Sequence, residues 1–554
     1  MKRSDAVENS AGKLFNFRPV LFSAAFFALG IAFVYGRRYF GLSFWWLTAG
    51  VPAFVLALLF SAAKRKAAAV CAALALCFAL GTLGFSAEIS AFTEGGRYSG
   101  EYAVTGTVAE KKEYDKISVL LLESVTIGGT KEQGKINATL PASLSTSVAV
   151  ADKVTVFGKL ETNTEAFDDY GFRAEEVSGR VRFQIDVSSL TVTGKSKNPF
   201  LAVRSRLVET LYAGMDEESA AVTCALLTGD TSGIESGLLE NVRRGGIAHI
   251  FAVSGLHIGA LYAFCLFLFR KTKLSACPRG IKFFLVAALL FFYGGVCGFS
   301  PSVVRACVMC IVLYAHMLIG VKSDLLESAG LAALLLLLVR PSFLFEVGFQ
   351  LSFAACLSIG VLSRPLKRLS FKIFKVKEEP YLGERVKKSV ASFVSVSLAA
   401  QLGTAPVLLD TFGYISLWSL LLNGVFVPLV GAVFAGLLAI AFVAAMLPLA
   451  AAPVLLYVPS VLWSAILLVF HAFDFSLPAI QAGVSGTAPY SITPRFARLR
   501  IKSTCRRKLG ECRHCFWRRE PFWPSSESIF DKRSSAERQK QVKRFSCVFE
   551  EDMV

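Results

Sequence analysis

The 554-residue chain is poor in charged residues and in histidine. Asp, Glu, Lys and Arg make up 18% of the sequence and only five histidines occur, whereas soluble domains carry roughly 25% charged residues. Hydrophobic residues reach 54%. This balance excludes a water-soluble or a disordered chain and indicates a membrane protein.

Several enzyme signatures are absent as well. The sequence has no GxxxxGK[ST] phosphate loop and no HxHxD metallohydrolase pattern, so an ATP motor and a histidine-rich hydrolase are excluded. Ser254 lacks the flanking glycines of a nucleophile elbow, which argues against a serine hydrolase. We therefore expect no enzymatic activity, no catalytic residue, no metal site and no cofactor.

Apolar runs of about bilayer length recur along the chain. We expect about eleven membrane-spanning helices, with the first run as an anchor and not a removable signal peptide. The run at 417–449 contains Asn423, Pro428 and Gly431, which favours a broken helix or a short hairpin. The runs are residues 20–35, 43–60, 67–86, 250–269, 281–296, 303–319, 325–339, 343–362, 389–409, 417–449 and 453–470.

Residues 88–198 have a different pattern, with short alternating apolar and polar stretches separated by Gly and Asn. Such alternation predicts a small β-domain. The insert holds 13 Lys/Arg and 16 Asp/Glu, a net charge of −3, and contains no cysteine. It therefore has no disulfide, and its charge would repel a polyanion unless its basic residues cluster.

Basic loops predict the orientation. Residues 64–66, 270–273 and 364–388 are rich in Lys and Arg, and all fall on one side of the membrane if the N-terminus is cytoplasmic. Arg37 and Arg38 fall on the opposite side. We therefore expect a multi-pass protein of the bacterial plasma membrane whose β-domain lies outside the cytoplasm.

Residues 225–259 read ALLTGDTSGIESGLLENVRRGGIAHIFAVSGLHIG. The pattern predicts a helix that ends at Thr228, a tight turn over residues 229–233, and a second helix from about Glu235 to Arg244 that is closed by two glycines. Asp230 in the turn either holds a cation or serves in capping, which is the more common role of Asp beside Gly.

A membrane span is expected to begin at His249. Polar side chains at such an entrance are costly unless they face protein or water, so they are candidates for function. His257 either lines a polar pathway or is a hydrogen-bonded packing residue. The candidates in this segment are Arg243, Arg244, His249, Ser254 and His257.

Further polar residues stand in apolar surroundings later in the chain. Arg305 is either an interfacial anchor or a phosphate contact at a channel mouth. Gln350 shares a helix face with Glu346 four residues earlier, and the spans of Gln401 and Asn423 are expected to meet it in the bundle interior. Glu346 argues against a purely basic lining.

Five segments together resemble the ComEC family of competence proteins. They read ALLTGDTSGI from Ala225, NVRRGGIAHIFAVSGLHIG from Asn241, GFSPSVVRA from Gly298, EVGFQLSF from Glu346, and AAQLGTAPVLLDTFGYISLWSLLLNGVFVPLVG from Ala399. Three N-terminal spans followed by an exterior β-insert are similar to the plan of that family, in which the insert is an OB-type domain.

The resemblance implies a channel that carries single-stranded transforming DNA from outside the plasma membrane into the cytoplasm. It also implies an extracytoplasmic DNA receptor and a cytosolic ATP-driven motor as partners, beside the lipid bilayer and a possible homo-oligomer. Many family members end in a metallo-β-lactamase-like domain, which is not found in this sequence, so nuclease activity is not carried over.

The predicted organisation has four parts. An N-terminal three-span segment is followed by the OB-like domain, by a multi-span channel domain, and by a basic tail that we interpret as disordered or aberrant; these occupy residues 1–87, 88–198, 199–480 and 481–554.

In this channel Arg243, Arg244 and Arg305 would guide phosphates. Six further side chains would keep the route polar, namely those of His249, Ser254, His257, Gln350, Gln401 and Asn423. The rivals are a transporter of a smaller solute, a membrane-embedded enzyme that uses Asp230, His249 or His257, and an inactive truncated relative.

Overall fold

The protein is described by a computed structural model. The described residues are 18–39, 65–94, 97–113, 117–141, 144, 148–163, 165–168, 171–251, 253–272, 277–320, 324–376, 381–416, 418–472 and 479–481. The predicted span at 43–60 and nearly all of the predicted tail lie outside them.

Helices dominate the described chain. Two of them precede the sheet domain, a short one lies within it, and the others follow it. Their bounds are α1 Pro19–Tyr39, α2 Arg65–Thr93, α3 Ala174–Gly179, α4 Pro199–Gly214, α5 Glu217–Thr228, α6 Ser236–Arg244, α7 Ala248–Phe251, α8 Gly255–Lys271, α9 Arg279–Val296, α10 Pro301–Ile319, α11 Leu325–Val339, α12 Val347–Ile373, α13 Leu382–Thr411, α14 Ser419–Met446 and α15 Ala452–Ala472, with 3-10 turns at Pro341–Phe345 and Leu449–Ala451.

Six helices of the described chain are long and apolar enough to cross a membrane, and a bent seventh can be added. The six are α1, the part of α2 from Ala72 to Thr93, α9, α10, α12 and α13. The seventh is α14, which is bent by 43° between its halves Ser419–Gly431 and Val433–Met446. Membrane-spanning helices are thus confirmed, but about eleven spans are not, because α11 is only 15 residues long and the predicted span at 250–269 is broken before Gly255.

The insert folds as a sheet domain. Its strands are β1 Ser99–Glu113, β2 Ile117–Ile127, β3 Thr130–Lys131, β4 Lys135–Pro141, β5 Asp152–Thr162, β6 Phe167–Asp168, β7 Gly171–Phe172 and β8 Val181–Lys195. The main sheet has the order β1-β5-β8-β4-β2-β3, with a further pairing of β1 with β2. Its pairs are antiparallel except β4 with β8. A small sheet domain is therefore confirmed, whereas an OB-type barrel is not.

Alternating side chains explain why this segment forms strands. Along β5 every second residue is buried from Asp152 to Leu160, which is the period of a half-buried strand. Phe183 and fifteen further buried side chains fill the core, and Tyr98 and Tyr102 pack against it. Phe157 differs, because 42% of its surface is exposed.

An aromatic cluster joins the sheet domain to the helices. Phe172 of β7 lies with its ring 5.3 Å from that of Phe85 in α2 and 5.0 Å from that of Phe345, and Phe345 is 4.8 Å from Tyr35 of α1. Buried aromatic pairs at these distances contribute beyond their buried area. The sheet domain is therefore packed firmly onto α1, α2 and the turn before α12.

Polar contacts surround the same junction. The Ser178 hydroxyl donates to Glu346 and the Arg340 guanidinium donates to the carbonyl of Ser178. The amide and the hydroxyl of Ser342 donate to the two carboxylate oxygens of Glu88, at 2.8 and 2.7 Å. Glu346 therefore serves the contact between sheet domain and helices.

Candidate functional site

The predicted turn after α5 is present, and Asp230 is fully engaged within it. Gly229 closes the helix with a φ of +80°, a conformation that glycine adopts without steric cost. Asp230 accepts hydrogen bonds from the amide and hydroxyl of Ser232 at 3.2 and 2.6 Å, and Arg204 of α4 pairs with it at 3.2 Å. These contacts match the capping alternative for Asp230.

The end of α6 lies against the start of α14. A side-chain carbon at Gly246, where φ is +73°, would come within 2.6 Å of Ser419 Cβ and 3.0 Å of Ser416 Cβ. Arg243 and Arg244 occupy the last turn of α6. Both are exposed, and Arg244 pairs with Glu240 at 3.0 Å. The close approach at Gly246 thus fixes the end of α6 against the start of α14.

Two further predicted residues meet at the same place. Gln401 of α13 donates through Nε2 to the hydroxyl of Ser419 at 2.8 Å, and that hydroxyl donates to the Ser416 carbonyl at 2.9 Å. Asn423 lies one turn further along α14, and its Oδ1 is buried without a hydrogen-bond partner among the described residues. The structure therefore brings Arg243, Gln401 and Asn423 together around the start of α14.

The predicted start of a span at His249 is wrong. His249 belongs to the short helix α7, and the apolar helix α8 begins at Gly255 with Ser254 as its N-cap. Ser254 accepts from the amide of Leu256 at 3.3 Å, and its own amide donates to Nδ1 of His257 at 3.0 Å. A capping pair interrupts the hydrophobic run because it satisfies backbone groups that a helix end leaves open.

These contacts explain the burial of His257. The imidazole is 0% exposed, and its ring centroid lies 4.6 Å from that of Phe434 in α14. Since Nδ1 accepts from a backbone amide, a neutral ring carries its proton on Nε2, and this atom has no partner among the described residues. His257 is thus a capping and packing residue that leaves one donor unused.

His249 stands in a different setting. Its side chain is solvent-accessible, although surrounding atoms desolvate it and thereby lower the pKa of the imidazole below its ordinary 6.5. His249 lies within electrostatic reach of His257, which places it near the start of α8.

Arg305 is the most unusual side chain of the site. Its Nη1 lies 3.5 Å from both Met309 Sδ and Cys356 Sγ, and its guanidinium carbon is 5.7 Å from the ring of Phe353. Its Nε is buried without a partner, and no carboxylate lies within ion-pair distance of it among the described residues. A side-chain carbon on Gly255 would come within 3.2 Å of Arg305 Nη2, so the cation adjoins the N-terminus of α8.

Gln350 does not join this group through a contact of its own. Its Nε2 donates to the Leu344 carbonyl at 3.0 Å, and thus holds the turn before α12. Glu346 on the same helix face bonds to the sheet domain. The expected meeting of Gln350 with Gln401 and Asn423 is not found among the hydrogen bonds of the described chain.

Buried polar atoms without partners concentrate in this region. Most native proteins satisfy such atoms, so each exception needs a reason. Of the eight found in the described chain, four belong to Ser416, Asn423, His257 and Arg305. No group of three or more His, Cys, Asp and Glu side chains in the described chain could hold a metal ion. Water or a passing polar ligand is the natural partner for these four groups.

Sequence comparison relates this region to known proteins. Residues 226–492 match the protein family described as "Competence protein". Over 232 residues, or 42% of this chain, the sequence is 32% identical to ComE operon protein 3 of Bacillus subtilis (strain 168). The alignment spans 27% of that relative. No solved structure matches.

Residues 226–492 are thus similar to competence proteins. Several helices of the described chain are long and apolar enough to cross a bilayer, which indicates a membrane-embedded protein. The family match begins two residues before Thr228 and includes every predicted site residue.

Three residues that matter to the site were not predicted. Ser416 and Ser419 connect the end of α6 to Gln401, and Arg204 holds Asp230. Serine in an apolar run carries little signal, and Arg204 lies in an amphipathic helix where a surface position is the common expectation. The residues that contact Ser419 and Arg204 are 18 and 26 positions away in the sequence and belong to other elements. Sequence spacing does not reveal contacts of this kind.

Proposed function

We propose that this protein forms the path by which single-stranded DNA crosses the plasma membrane into the cytoplasm during natural competence. Similarity of residues 226–492 to competence proteins supports the biological setting. The single observation that carries the proposal is Arg305, a half-buried cation whose Nε is fully enclosed and which has no acidic partner in the described chain.

An unpaired buried charge is expensive. The effective cost of desolvating an ion inside a protein is several kcal/mol, and the contact with Phe353 returns about 0.5–2 kcal/mol. Thioether and thiol sulfurs are weak acceptors, so Met309 and Cys356 compensate little. A phosphate that passes the start of α8 would supply the missing charge with strong charge-assisted hydrogen bonds.

The other groups have subsidiary roles in this proposal. Arg243 and Arg244 meet phosphates at the exposed end of α6, while Gln401, Asn423 and His249 exchange hydrogen bonds with water, sugar or bases. Asp230 and His257 hold the backbone turns that position the others. The protein acts as a conduit without chemical turnover, and the β-domain lies on the outer face.

Energy has to come from a partner. Each phosphate that moves inward against a cytoplasm-negative potential costs about 2.3 kcal/mol per 100 mV. A cytosolic ATP-driven motor that pulls the strand would meet this cost, and an exterior receptor would deliver the DNA. Two cavities of the described chain, of about 630 and 350 Å³, include none of the proposed path residues.

The test compares Arg305 with the buried Arg204. A gene that encodes Arg305→Met or Arg204→Met would replace the native gene in a transformable host. Uptake of labelled DNA and the abundance of the protein in the membrane would then be measured. Arg305→Met should reduce uptake at least tenfold at unchanged abundance, since a charge-assisted bond contributes about 1.5–3 kcal/mol. Arg305→Lys should retain part of the uptake.

Arg204→Met is the matched control. It leaves Asp230 buried without its cation, which is strongly destabilising, so uptake and abundance should fall together. Normal uptake by Arg305→Met at normal abundance would remove Arg305 from the path and overturn the proposal. Loss of abundance in Arg305→Met equal to that in Arg204→Met would show that the cation is structural.

A further inference from the structure

A basic cavity lies away from the proposed DNA path, where three membrane helices end or begin. It has a volume of about 630 Å³ and is formed by the end of α8, the start of α9 and the end of α10. Arg270, Arg279 and Lys282 line it, and no acidic residue is among its lining residues. We call it the basic interfacial pocket.

Other lining residues of the pocket are apolar. Met317 and Ile319 line it with 52% and 70% of their surfaces exposed. Tyr314, which is 2% exposed, also lines it and stacks on Phe283 at a centroid distance of 6.4 Å. A cavity lined by both cationic side chains and exposed aliphatic groups fits an amphiphile with an anionic head.

The position in the helices favours a lipid over a water-soluble anion. α9 and α10 both pass the length and apolarity test for membrane spans, and the pocket lies at the ends of these helices, where a bilayer's headgroups would be. Exposed apolar side chains continue along α9 below the pocket, including Ile281 at 50% and Phe284 at 72%. Acyl chains would cover this surface.

Backbone groups add to the anion preference. Pro278 is the N-cap of α9 and provides no side-chain hydrogen bond, so the first amides of this 18-residue helix are uncapped by a side chain, and the positive end of the helix dipole lies beside the pocket-lining Arg279. Gly320 ends α10 with a φ of +73°, which turns the chain away beside the cavity. Neither feature would make a site without the three cationic side chains.

We infer that the basic interfacial pocket binds the phosphate headgroup of an anionic phospholipid such as phosphatidylglycerol. Arg270 and Arg279 contact the phosphate, Lys282 contributes charge, and Met317 and Ile319 pack against the first acyl carbons. Basic pockets between membrane helices bind anionic headgroups in this manner. A lipid in this place would tie the ends of α8, α9 and α10 together.

The test titrates the detergent-solubilised full chain with short-chain phosphatidylglycerol and follows heat of binding. Saturable binding is expected for phosphatidylglycerol and not for phosphatidylcholine of equal chain length. Each Lys or Arg near an anionic lipid contributes about fivefold in affinity, so Arg270→Gln/Arg279→Gln should bind about 25-fold more weakly. Arg270→Lys/Arg279→Lys should remain within about fivefold of the native chain.

Arg368→Gln/Lys372→Gln is the matched control, because both residues are exposed near the end of α12 and do not line the pocket. Its affinity should not change. If the double glutamine variant does not fold, Arg279→Gln alone should show the fivefold loss.

Three results would overturn the inference. They are equal binding of phosphatidylcholine, binding of glycerol 3-phosphate as tight as that of the lipid, and unchanged affinity after loss of both arginines. A fourth titration uses oligothymidylate. If it binds, and binding is lost in Arg270→Gln/Arg279→Gln alone, the pocket is a DNA contact and the lipid inference is wrong.

Discussion

The junction between the sheet domain and the helices should respond to pH through Glu346. Its carboxylate lies just before α12, accepts from Ser178, and is surrounded by Arg340, Glu175 and Glu88. Burial raises the pKa of Glu346 from 4.5 to about 7, and the neighbouring carboxylate of Glu175 adds to the effect while Ser178 and Arg340 oppose it. The perturbation is Glu346→Gln, which resembles the protonated acid in shape and still accepts from Ser178.

The sign follows from proton binding. A carboxyl whose pKa is higher in the folded chain than in the unfolded chain stabilises the fold at low pH, and this contribution is lost as the pH rises through about 7. Each pKa unit corresponds to about 1.4 kcal/mol, so the whole effect is about 3 kcal/mol. About 2 kcal/mol of it should disappear between pH 5.5 and pH 8.5.

The assay is thermal unfolding of the detergent-solubilised full chain at pH 5.5, 7.0 and 8.5. The native chain should become less stable across this range, whereas Glu346→Gln should be nearly constant and should exceed the native chain at pH 8.5. Glu161→Gln is the control, because Glu161 is exposed and pairs with Lys159 at 2.6 Å. A Glu346→Gln variant with the pH profile of the native chain would refute the reasoning.

Two smaller predictions concern single positions. Gly246→Ala should lower the free energy of unfolding by about 1–3 kcal/mol, because φ is +73° and the new carbon would lie 2.6 Å from Ser419 Cβ. Thermal unfolding measures this, with Gly436→Ala as the control because a side-chain carbon at Gly436 meets no atom within 4 Å. A Gly246→Ala variant as stable as the native chain would contradict the prediction. Phe157→Ala should weaken oligothymidylate binding about fivefold or more, since a stacked base contributes about 1–3 kcal/mol. Fluorescence anisotropy measures this, and Val192→Ala on β8 is the control because Val192 is also apolar and exposed. Unchanged affinity of Phe157→Ala would place DNA contacts elsewhere.

Much of the local structure was predictable because it depends on neighbours in the sequence. The alternation that predicted strands at Val154 and Val181 reflects a half-buried sheet, and the glycines after Thr228 and Arg244 end helices where expected. The break before Gly255 was missed. Its signal was the Ser-x-x-His spacing of a capping pair, which hydrophobicity alone does not register.

The site was predictable as a set of residue types but not as a set of contacts. Sequence analysis singled out polar residues in apolar runs, but it did not distinguish Gln350, which bonds to a nearby carbonyl, from Gln401, which bonds across to another helix. Such pairing depends on how helices far apart in the chain pack, and composition and periodicity describe each helix separately.

The two buried arginines illustrate where the functional information lies. Arg204 and Arg305 both stand in helices, and in sequence neither differs from an interfacial anchor. Arg204 pairs with Asp230, so its charge is balanced within the fold. Arg305 meets only sulfur atoms and an aromatic ring, so the folded chain bears a cost that its own contacts do not repay. A cost of that kind persists when another molecule supplies the balancing charge, and in the function that we propose an anionic strand of DNA supplies it.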